Sequence, residues 1–372
     1  SEMGKGMMES EKTRTTLPNQ NAIEIVKSRL WRKSHSLNTV KAFDFAVKKF
    51  DKYLESKELT YEDVVKAPVQ ILDDFAAWMD KHYAPATTRN YVIFMAKLLK
   101  AMGAKIDDYE FRENVVLPKV EMFMDDKVNE EQIKRIIMGA KHEALKVLLM
   151  LMKDTPARPV EIIGLKFGDF NLAYEPPYFA ISARLAKNDI PREVFFTMET
   201  KTALISYMQN REVRNKDDFV FLDDDVDELD EENFQKVLKR AVRRFDTAFR
   251  RIMRKRAFED LNEEVKKRGK QKRYKIHIYS FKKFSFTRTA DALGELAARA
   301  IKGDKEYVMT YYKKDREERA QDYSKVMPKL SIFTMDERSR VRKQVEEAMK
   351  EMKDKDLAVV LEFLNGKRLA RE

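Results

Sequence analysis

The 372-residue chain contains no cysteine, and this absence excludes several kinds of chemistry at once. Disulfides, thiolate nucleophiles and thiolate zinc sites all require cysteine. The four histidines, His35, His82, His142 and His277, are far apart and show neither the HxxxH nor the HExxH spacing of metal sites. We therefore predict a protein without metal or cofactor. The lack of disulfides fits a cytoplasmic location.

Long apolar runs are missing as well. No run of about 18 apolar residues occurs, although a membrane-spanning helix needs one of that length. Residues 1–20 lack the apolar segment of a signal peptide and are predicted to form a flexible leader. No membrane association is expected. With 43% hydrophobic residues, the chain is long enough to form two or three domains with packed cores.

Positive charge is in excess, with 74 lysines and arginines against 63 acidic residues. The excess is concentrated in residues 241–275, which contain 14 basic and five acidic residues. Such a segment favours a polyanionic partner, although a solvated helix face has the same composition. The candidate binding residues are Arg243, Arg244, Arg250, Arg251, Arg254 and Lys255, together with Lys283 farther along the chain.

Residues 21–113 show a helical pattern throughout. In "TVKAFDFAVKKF" the apolar residues recur at helical spacing. A later helix is predicted to start near Pro85 and to end at Gly103. We predict a bundle of four or five helices that contains no catalytic constellation. Residues 114–128 have no helical period and are predicted to form an extended linker.

The remainder of the chain is predicted to be mostly helical, with one β-hairpin. Asn129 is a candidate N-cap that opens this second domain, residues 129–330. The strand-like stretches "YFAIS" and "EVFFT" flank a polar turn, "KND", which contains Lys187. The fold class is therefore mostly α with a small β-hairpin or sheet. Residues 331–372 are predicted to form a charged helical tail.

The stretch "TPARPVEIIGLKFGDF", residues 155–170, combines an arginine with a helix start. Pro159 fits the first position of a helix, and Arg158 precedes it directly. Lys187 follows on the hairpin, and "YSFKKF" opens another helix that begins at Tyr279. One predicted helix ends near Gly303, and three tyrosines follow it: Tyr311, Tyr312 and Tyr323.

This order resembles the tyrosine recombinases, or phage-type integrases, and especially their archaeal branch. The first motif of that family is T-G-L-R-x-x-E, followed by two hydrophobic residues, x-L and x-x-x-D. The matching residues are Thr155, Arg158, Glu161, Ile162, Ile163, Leu165 and Asp169, and Pro156 replaces the glycine. The family also has a lysine on a hairpin turn, and Lys187 fits that role. The resemblance covers about residues 20–330.

The later motifs depart from the family pattern. In the motif H-x-L-R, Tyr279 stands in the place of the histidine and Lys282 in that of the arginine. In the following G-H pair, Asp304 replaces the histidine after Gly303. Lysine keeps the positive charge but cannot form the bidentate hydrogen bonds that arginine makes with phosphate. An ionised Asp304 would repel phosphate unless a cation pairs with it.

The nucleophilic tyrosine of the family lies about nine residues after that histidine. Tyr312 follows Asp304 by eight residues, Tyr311 by seven and Tyr323 by nineteen. Spacing therefore favours Tyr312. Tyr323 is the alternative, because a shifted helix could carry the nucleophile.

The resemblance implies a helical core-binding (SAM-like) domain and an α+β catalytic domain that close as a C-shaped clamp around double-stranded DNA. It also implies cleavage without metal through a 3′-phosphotyrosine, with four copies of the chain assembled on two sites. Arg158 and Lys282 would bind the phosphate, and Lys187 would protonate the leaving oxygen. Two other functions stay open: a non-cleaving DNA-binding protein with the same fold, and a basic helical scaffold for protein partners.

Overall fold

The computed structural model describes most of the chain. The described ranges are 20–120, 128–187, 189–213, 215–223, 229–265 and 273–333. The chain divides into two compact units. The first contains the residues up to 125 together with 227–237 and 263–275, and the second contains the other residues. The predicted leader and nearly all of the predicted C-terminal tail lie outside the described ranges.

Residues 20–120 form six helices. They are α1 (Gln20–Ser34), α2 (Leu37–Lys57), α3 (Tyr61–Lys66), α4 (Pro68–Asp80), α5 (Pro85–Ala101) and α6 (Asp108–Asn114). Helices α3 and α6 raise the number above the predicted four or five. Both are too short to show a helical period, and side-chain caps start them: Thr60 for α3 and Asp107 for α6.

The core of these helices is apolar and rich in aromatic rings. Phe43, Phe50, Tyr53 and Phe75 are almost fully buried. The rings of Phe50 and Phe75 meet edge to face, with centroids 4.9 Å apart, an arrangement that the charge distribution of aromatic rings favours. Residues 115–120 after α6 are non-helical, and 121–127 of the predicted linker lie outside the described ranges.

The chain from residue 128 to 333 combines helices with short strands. The helices are α7 (Glu130–Gly139), α8 (Glu143–Asp154), α9 (Pro159–Ile163), α10 (Met198–Asn210), α11 (Glu231–Met253), α12 (Tyr279–Leu293), α13 (Glu295–Lys302), α14 (Lys305–Tyr311) and α15 (Arg316–Leu330). The strands are β1 (Phe170–Asn171), β2 (Tyr178–Ile181), β3 (Arg192–Phe195), β4 (Glu264–Val265) and β5 (Arg273–Tyr274).

Helix α8 lies at the centre of the second unit. It packs against α7, α9, α10, α12 and α15, and its residues from Val147 to Asp154 are all buried. A helix that is apolar on nearly every side belongs inside a core, which explains the run "VLLMLM". Asn129 caps α7 by accepting a hydrogen bond from the N–H of Gln132 at 2.8 Å.

Three antiparallel strands form the small sheet of the second unit, in the order β1–β2–β3. The predicted hairpin is β2–β3, with Phe179 opposite Val194. The loop between them, residues 182–191, is longer than the predicted three-residue turn because the pairing ends at Ile181 and Arg192. Strand β1 was not predicted, since two residues carry no readable alternation. The predicted class, mostly α with a small sheet, is confirmed.

One predicted helix is divided in two. The sequence indicated a single helix up to Gly303, but α12 ends at Leu293 and α13 begins at Glu295. Gly294 lies between them with φ +86°, a conformation that glycine adopts at little cost because it has no Cβ. Among the described residues, no helix is both long enough and apolar enough to span a membrane.

Candidate active site

Arg158 is held at the start of α9 by Glu161. Pro159 occupies the first helical position, as the sequence indicates. The main-chain N–H of Arg158 donates to Oε2 of Glu161 at 2.7 Å, and its Nη1 donates to Oε1 at 3.1 Å. The Arg158 side chain is 18% exposed. Its guanidinium is therefore fixed on one side by a carboxylate and has limited access to solvent.

Glu161 has a second arginine partner that the sequence analysis missed. Arg192 on β3 is 4% exposed, and its Nη2 donates to Oε2 of Glu161 at 2.8 Å. Its Nε donates to the main-chain oxygen of Ile301 at 2.9 Å. Burial opposes ionisation of Glu161, but Arg192 and Arg158 outweigh it and lower the pKa of Glu161. The sequence signal was a charged residue at the start of the apolar strand "REVFF".

Tyr279 and Lys282 come close to Arg158 at the start of α12. Burial, followed by the charge of Arg158, lowers the pKa of Lys282 to about 7. Desolvation raises the pKa of Tyr279, and Arg158 acts against this shift. Since Arg158 acts on both groups, the residues of the first and third predicted motifs lie near one another. Lys282 is half-buried, whereas Tyr279 is 43% exposed.

Asp304 lies at the turn between α13 and α14 and is paired with a cation. Its Oδ2 is 2.5 Å from Nζ of Lys302, the last residue of α13. Gly303 between them has φ +89°. An ionised Asp304 would repel phosphate unless a cation paired with it, and Lys302 is that cation. The charge of Lys302 also contributes to the lowered pKa of Lys282.

Tyr312 directly follows α14 as its C-cap, and its hydroxyl faces strand β3. The hydroxyl donates to the main-chain oxygen of Glu193 at 2.7 Å. The guanidinium of Arg319 lies 4.8 Å from the centroid of the Tyr312 ring. Burial raises the pKa of Tyr312, while Arg192 and Arg319 act in the opposite direction. Arg192 is therefore an electrostatic neighbour of both Tyr312 and Lys282.

The Glu193 side chain ties α15 to the sheet beside Tyr312. It pairs with Arg316 at 2.6 Å and with Arg319 at 2.5 Å. A cavity of about 530 Å³ opens at this place. Its lining includes Ile181, Arg192, Glu193, Tyr312, Arg316 and Arg319.

The other two tyrosines have different surroundings. Tyr323 is 5% exposed; its hydroxyl donates to the main-chain oxygen of Asp154 at 3.3 Å, and its ring lies 5.9 Å from that of Phe195. Burial raises its pKa well above the usual value. Tyr311 is half-buried, and burial followed by Asp322 raises its pKa. The core position of Tyr323 disfavours it as the nucleophile in this conformation.

Lys187 is exposed in the loop between β2 and β3. The residue after it, Asn188, lies outside the described ranges. Within those ranges, Lys187 is not among the groups that shift the pKa of Lys282 or Tyr312. The structure thus brings Arg158, Tyr279 and Lys282 together, whereas Lys187 stays on an exposed loop.

The predicted basic residues lie mainly on the polar side of α11. The apolar residues of this helix are buried: Phe234, Leu238, Ala241, Phe245, Phe249 and Ile252. The exposed residues are Arg243, Arg244, Arg251, Arg254, Lys255 and, on α12, Lys283. Arg244 pairs with Asp223 at 2.9 Å, and Arg250 with Asp246 at 3.8 Å. Residues 266–272 of the basic segment lie outside the described ranges.

Comparison with known proteins gives matches over part of the chain. Residues 126–277 match the model of the Phage integrase family. The chain is 25% identical over 185 residues to the tyrosine recombinase XerA of Saccharolobus solfataricus. That alignment covers 48% of this chain and 60% of the relative's length.

The fold is similar to that of a solved recombinase structure. The XerH site-specific recombinase, in its pre-cleavage complex with difH substrate, matches with a TM-score of 0.51 and 15% sequence identity. The match covers 84% of this chain and 90% of that one. The comparisons therefore show similarity to recombinases over part of the chain and a fold shared with one solved recombinase. The family match ends at residue 277, so Tyr279, Lys282, Asp304 and Tyr312 lie beyond it.

Proposed function

We propose that this chain is a tyrosine recombinase of the archaeal type that cleaves and rejoins double-stranded DNA at specific sites. The main support is the cluster in which Glu161 binds both Arg158 and Arg192, with Lys282 of a separate motif near enough for Arg158 to lower its pKa. The match of residues 126–277 to the Phage integrase family adds to it. By the same resemblance, four copies would act together on two DNA sites.

In the proposed reaction, Arg158 and Lys282 bind the non-bridging oxygens of the scissile phosphate. Negative charge builds on these oxygens as the phosphorus becomes five-coordinate, and fixed positive groups stabilise that state more than the starting one. Glu161 holds Arg158 in position. Arg192 holds Glu161 in turn, so the guanidinium is oriented before DNA arrives.

The proposed nucleophile is Tyr312. Its hydroxyl gives its proton to solvent, and the phenolate oxygen forms a bond to phosphorus while the bond from phosphorus to the 5′-oxygen breaks, leaving a 3′-phosphotyrosine. Lys187 gives a proton to the departing 5′-oxygen. Rejoining reverses these steps with another 5′-hydroxyl. Since burial raises the pKa of Tyr312, its hydroxyl must leave the Glu193 carbonyl and approach the cationic cluster before attack.

Two observations favour a second function, a DNA-binding protein that no longer cleaves. Lys282, with a pKa of about 7, is only half charged at neutral pH, unlike the arginine of the family motif. The hydroxyl of Tyr312 is bound to a backbone carbonyl. The third candidate, a basic scaffold for protein partners, rests on the charge of α11 alone.

A nicked suicide duplex separates these functions. Cleavage beside the nick releases a short strand, so the enzyme stays covalently bound to DNA and migrates as a larger species in denaturing gels. We expect this adduct from the full chain in the presence of a metal chelator. Binding without an adduct would support the non-cleaving protein. Absence of binding to any duplex at low salt would leave the scaffold.

A further inference from the structure

Lys302 lies near Lys282 and pairs with Asp304, although no sequence motif points to it. Its Nζ is 2.5 Å from Oδ2 of Asp304 and 5.0 Å from the ring centroid of Phe286 on α12. The side chains of Lys302 and Asp304 are each 26% exposed. A lysine ammonium has three N–H donors. The aspartate and the ring orient the ammonium and leave donors for a further acceptor.

The end of α13 is anchored to the cluster that holds Arg158. Arg192 donates to the main-chain oxygen of Ile301, the residue before Lys302. Gly303 packs on the same guanidinium, where an added Cβ would lie 2.8 Å from Cζ of Arg192. A chain of polar contacts therefore leads from Arg158 through Glu161 and Arg192 to the residue beside Lys302.

The charges of this site are not balanced by its own residues. Four basic groups and two carboxylates interact here: Arg158, Arg192, Lys282 and Lys302, with Glu161 and Asp304. Glu161 is shared between two arginines, and Asp304 neutralises one lysine. When Lys282 is protonated, the excess of about two positive charges matches the charge of a five-coordinate phosphorane formed from a phosphodiester.

We propose that Lys302 is a phosphate-binding residue of this site and donates to a non-bridging oxygen of the scissile phosphate. This inference rests on the proposed function and adds a residue to it. Asp304 stands where the related recombinases have a histidine, and an ionised carboxylate cannot donate a hydrogen bond. Lys302 supplies the missing donor from two residues earlier, and Asp304 orients it.

The competing explanation is structural: the Lys302–Asp304 pair stabilises only the turn between α13 and α14. The two explanations differ in how the loss of Lys302 depends on the charge of the phosphate. A duplex with a methylphosphonate at the scissile position replaces one charged non-bridging oxygen by a methyl group. The remaining non-bridging oxygen still gains charge as phosphorus becomes five-coordinate, so a group loses its partner only in the diastereomer in which methyl replaces the oxygen that it contacts.

The test is single-turnover adduct formation at saturating DNA with both duplexes. We expect Lys302→Ala to slow cleavage of the ordinary duplex about 100-fold, the usual loss for one transition-state donor. Both methylphosphonate diastereomers are tested separately, and in the one that lacks the oxygen contacted by Lys302 the variant and the parent should cleave at similar rates. Lys302→Arg should recover part of the loss on the ordinary duplex, because it keeps the charge. Lys302→Gln, which can still donate to Asp304, should be as slow as Lys302→Ala.

A matched control is Lys100→Ala. Lys100 also pairs with an aspartate, Asp108, at 2.7 Å, but on the first unit. It should cleave both duplexes at the parent rate. Equal slowing of Lys302→Ala on the ordinary duplex and on both methylphosphonate diastereomers, or no slowing, would overturn the phosphate contact while the recombinase function stands. A parent protein that binds both duplexes and forms no adduct would overturn the recombinase function, and the role of Lys302 with it.

Discussion

The two units of the chain differ in what they bury. Among the described residues of the first unit, no charged side chain is buried, and the core is apolar and aromatic. The second unit buries charged groups: Lys153, Asp154, Glu161, Arg192, Arg319 and Asp322. Since an unpaired buried charge is strongly destabilising, every such group needs partners. Because of this difference, we expect the reactive residues of the protein to lie in the second unit.

Buried charge in the second unit occurs in two arrangements. The Nζ of Lys153 is surrounded by Asp154, by Glu199 at 2.6 Å and by the main-chain oxygen of Leu330 at 2.8 Å. That cluster is closed and fixes the end of α15. The cluster at Glu161 differs because its partner Arg158 stays partly exposed. An ionic cluster with one open side can accept an anion, whereas a closed one stabilises the fold.

The largest expected effect is the loss of the covalent adduct in Tyr312→Phe. The change removes only the phenolic oxygen, so the fold and DNA binding should persist while the adduct falls to background. Gel analysis with the nicked duplex gives the result directly. Tyr311→Phe and Tyr323→Phe serve as matched variants and should still form the adduct. Peptide mapping of the trapped complex identifies the modified tyrosine, and a DNA remnant on Tyr323 would contradict the assignment.

Removing one buried carboxylate should give the next largest effect. Glu161→Ala leaves the Arg192 guanidinium buried without its main partner, which typically costs about 3–5 kcal/mol in the free energy of unfolding. Urea denaturation measures it. Asp44→Ala in the first unit, which removes an exposed partner of Lys27, should barely move the midpoint. Similar shifts for the two variants would remove the contrast between the units.

The pH dependence of that effect follows from the pKa of Glu161, which is lower in the folded protein than its usual 4.5. The folded state then holds fewer protons than the unfolded state near that pH. Its contribution to stability is fully present above about pH 4.5 and declines as the pH falls through the folded-state pKa. The destabilisation by Glu161→Ala should therefore shrink in acid. A constant difference down to pH 3 would argue against the ion pairs.

The sequence predicted those elements of the fold that depend on patterns of neighbouring residues. The hairpin was visible in the alternation of apolar residues, and the start of α9 in a single proline, Pro159. Strand β1 and helices α3 and α6 are too short for a period to show. The break at Gly294 was missed because an isolated glycine is also tolerated within a helix.

Some residues of the candidate site could likewise be predicted from local sequence patterns, whereas others are recognised only from the packing of distant elements. Arg158 and Lys282 were found because a motif orders them along the chain. Arg192 and Lys302 resemble surface charges in the sequence, and only the packing of β3 and α13 reveals that they join the cluster. The direction of the Tyr312 hydroxyl depends on a contact with the distant strand β3, which no local pattern encodes.

Lys282→Arg should sharpen the view that Lys282 acts as a partly buried cation. With a pKa of about 7, the parent loses the positive charge as the pH rises through neutrality, whereas arginine keeps it. At limiting DNA, where the rate reports the free enzyme, the variant should cleave at least as fast as the parent at pH 6. The ratio of the two rates should rise about tenfold per pH unit above 7.

Taking this ratio cancels any pH dependence that the two proteins share, including ionisation of the nucleophile. Lys282→Ala is the companion variant and should cleave far more slowly than both at pH 6, where the lysine is charged. A ratio that stays flat from pH 6 to 9 would show that Lys282 keeps its proton throughout. Equal activity of all three proteins would mean that Lys282 does not contact the phosphate.

The smallest expected effect concerns exposed charge, which should bind DNA without taking part in the chemistry. Arg251 on α11 is exposed, and no carboxylate of the described residues pairs with it. Arg244, two helical turns earlier, is held by Asp223 at 2.9 Å. Each phosphate contact contributes about 0.9 to the slope of log affinity against log salt concentration. Arg251→Ala should therefore lower the slope by about one, and Arg244→Ala by less.

In both variants the cleavage rate at saturating DNA should equal that of the parent, because neither guanidinium lies in the Glu161 cluster. Fluorescence anisotropy with a labelled duplex over a fourfold range of salt resolves the expected change in affinity of about threefold to fourfold. Unchanged slopes for both variants would mean that this face of α11 is solvated and does not contact DNA. A loss of cleavage at saturating DNA would mean that the exposed arginines of α11 take part in the reaction together with the buried charges.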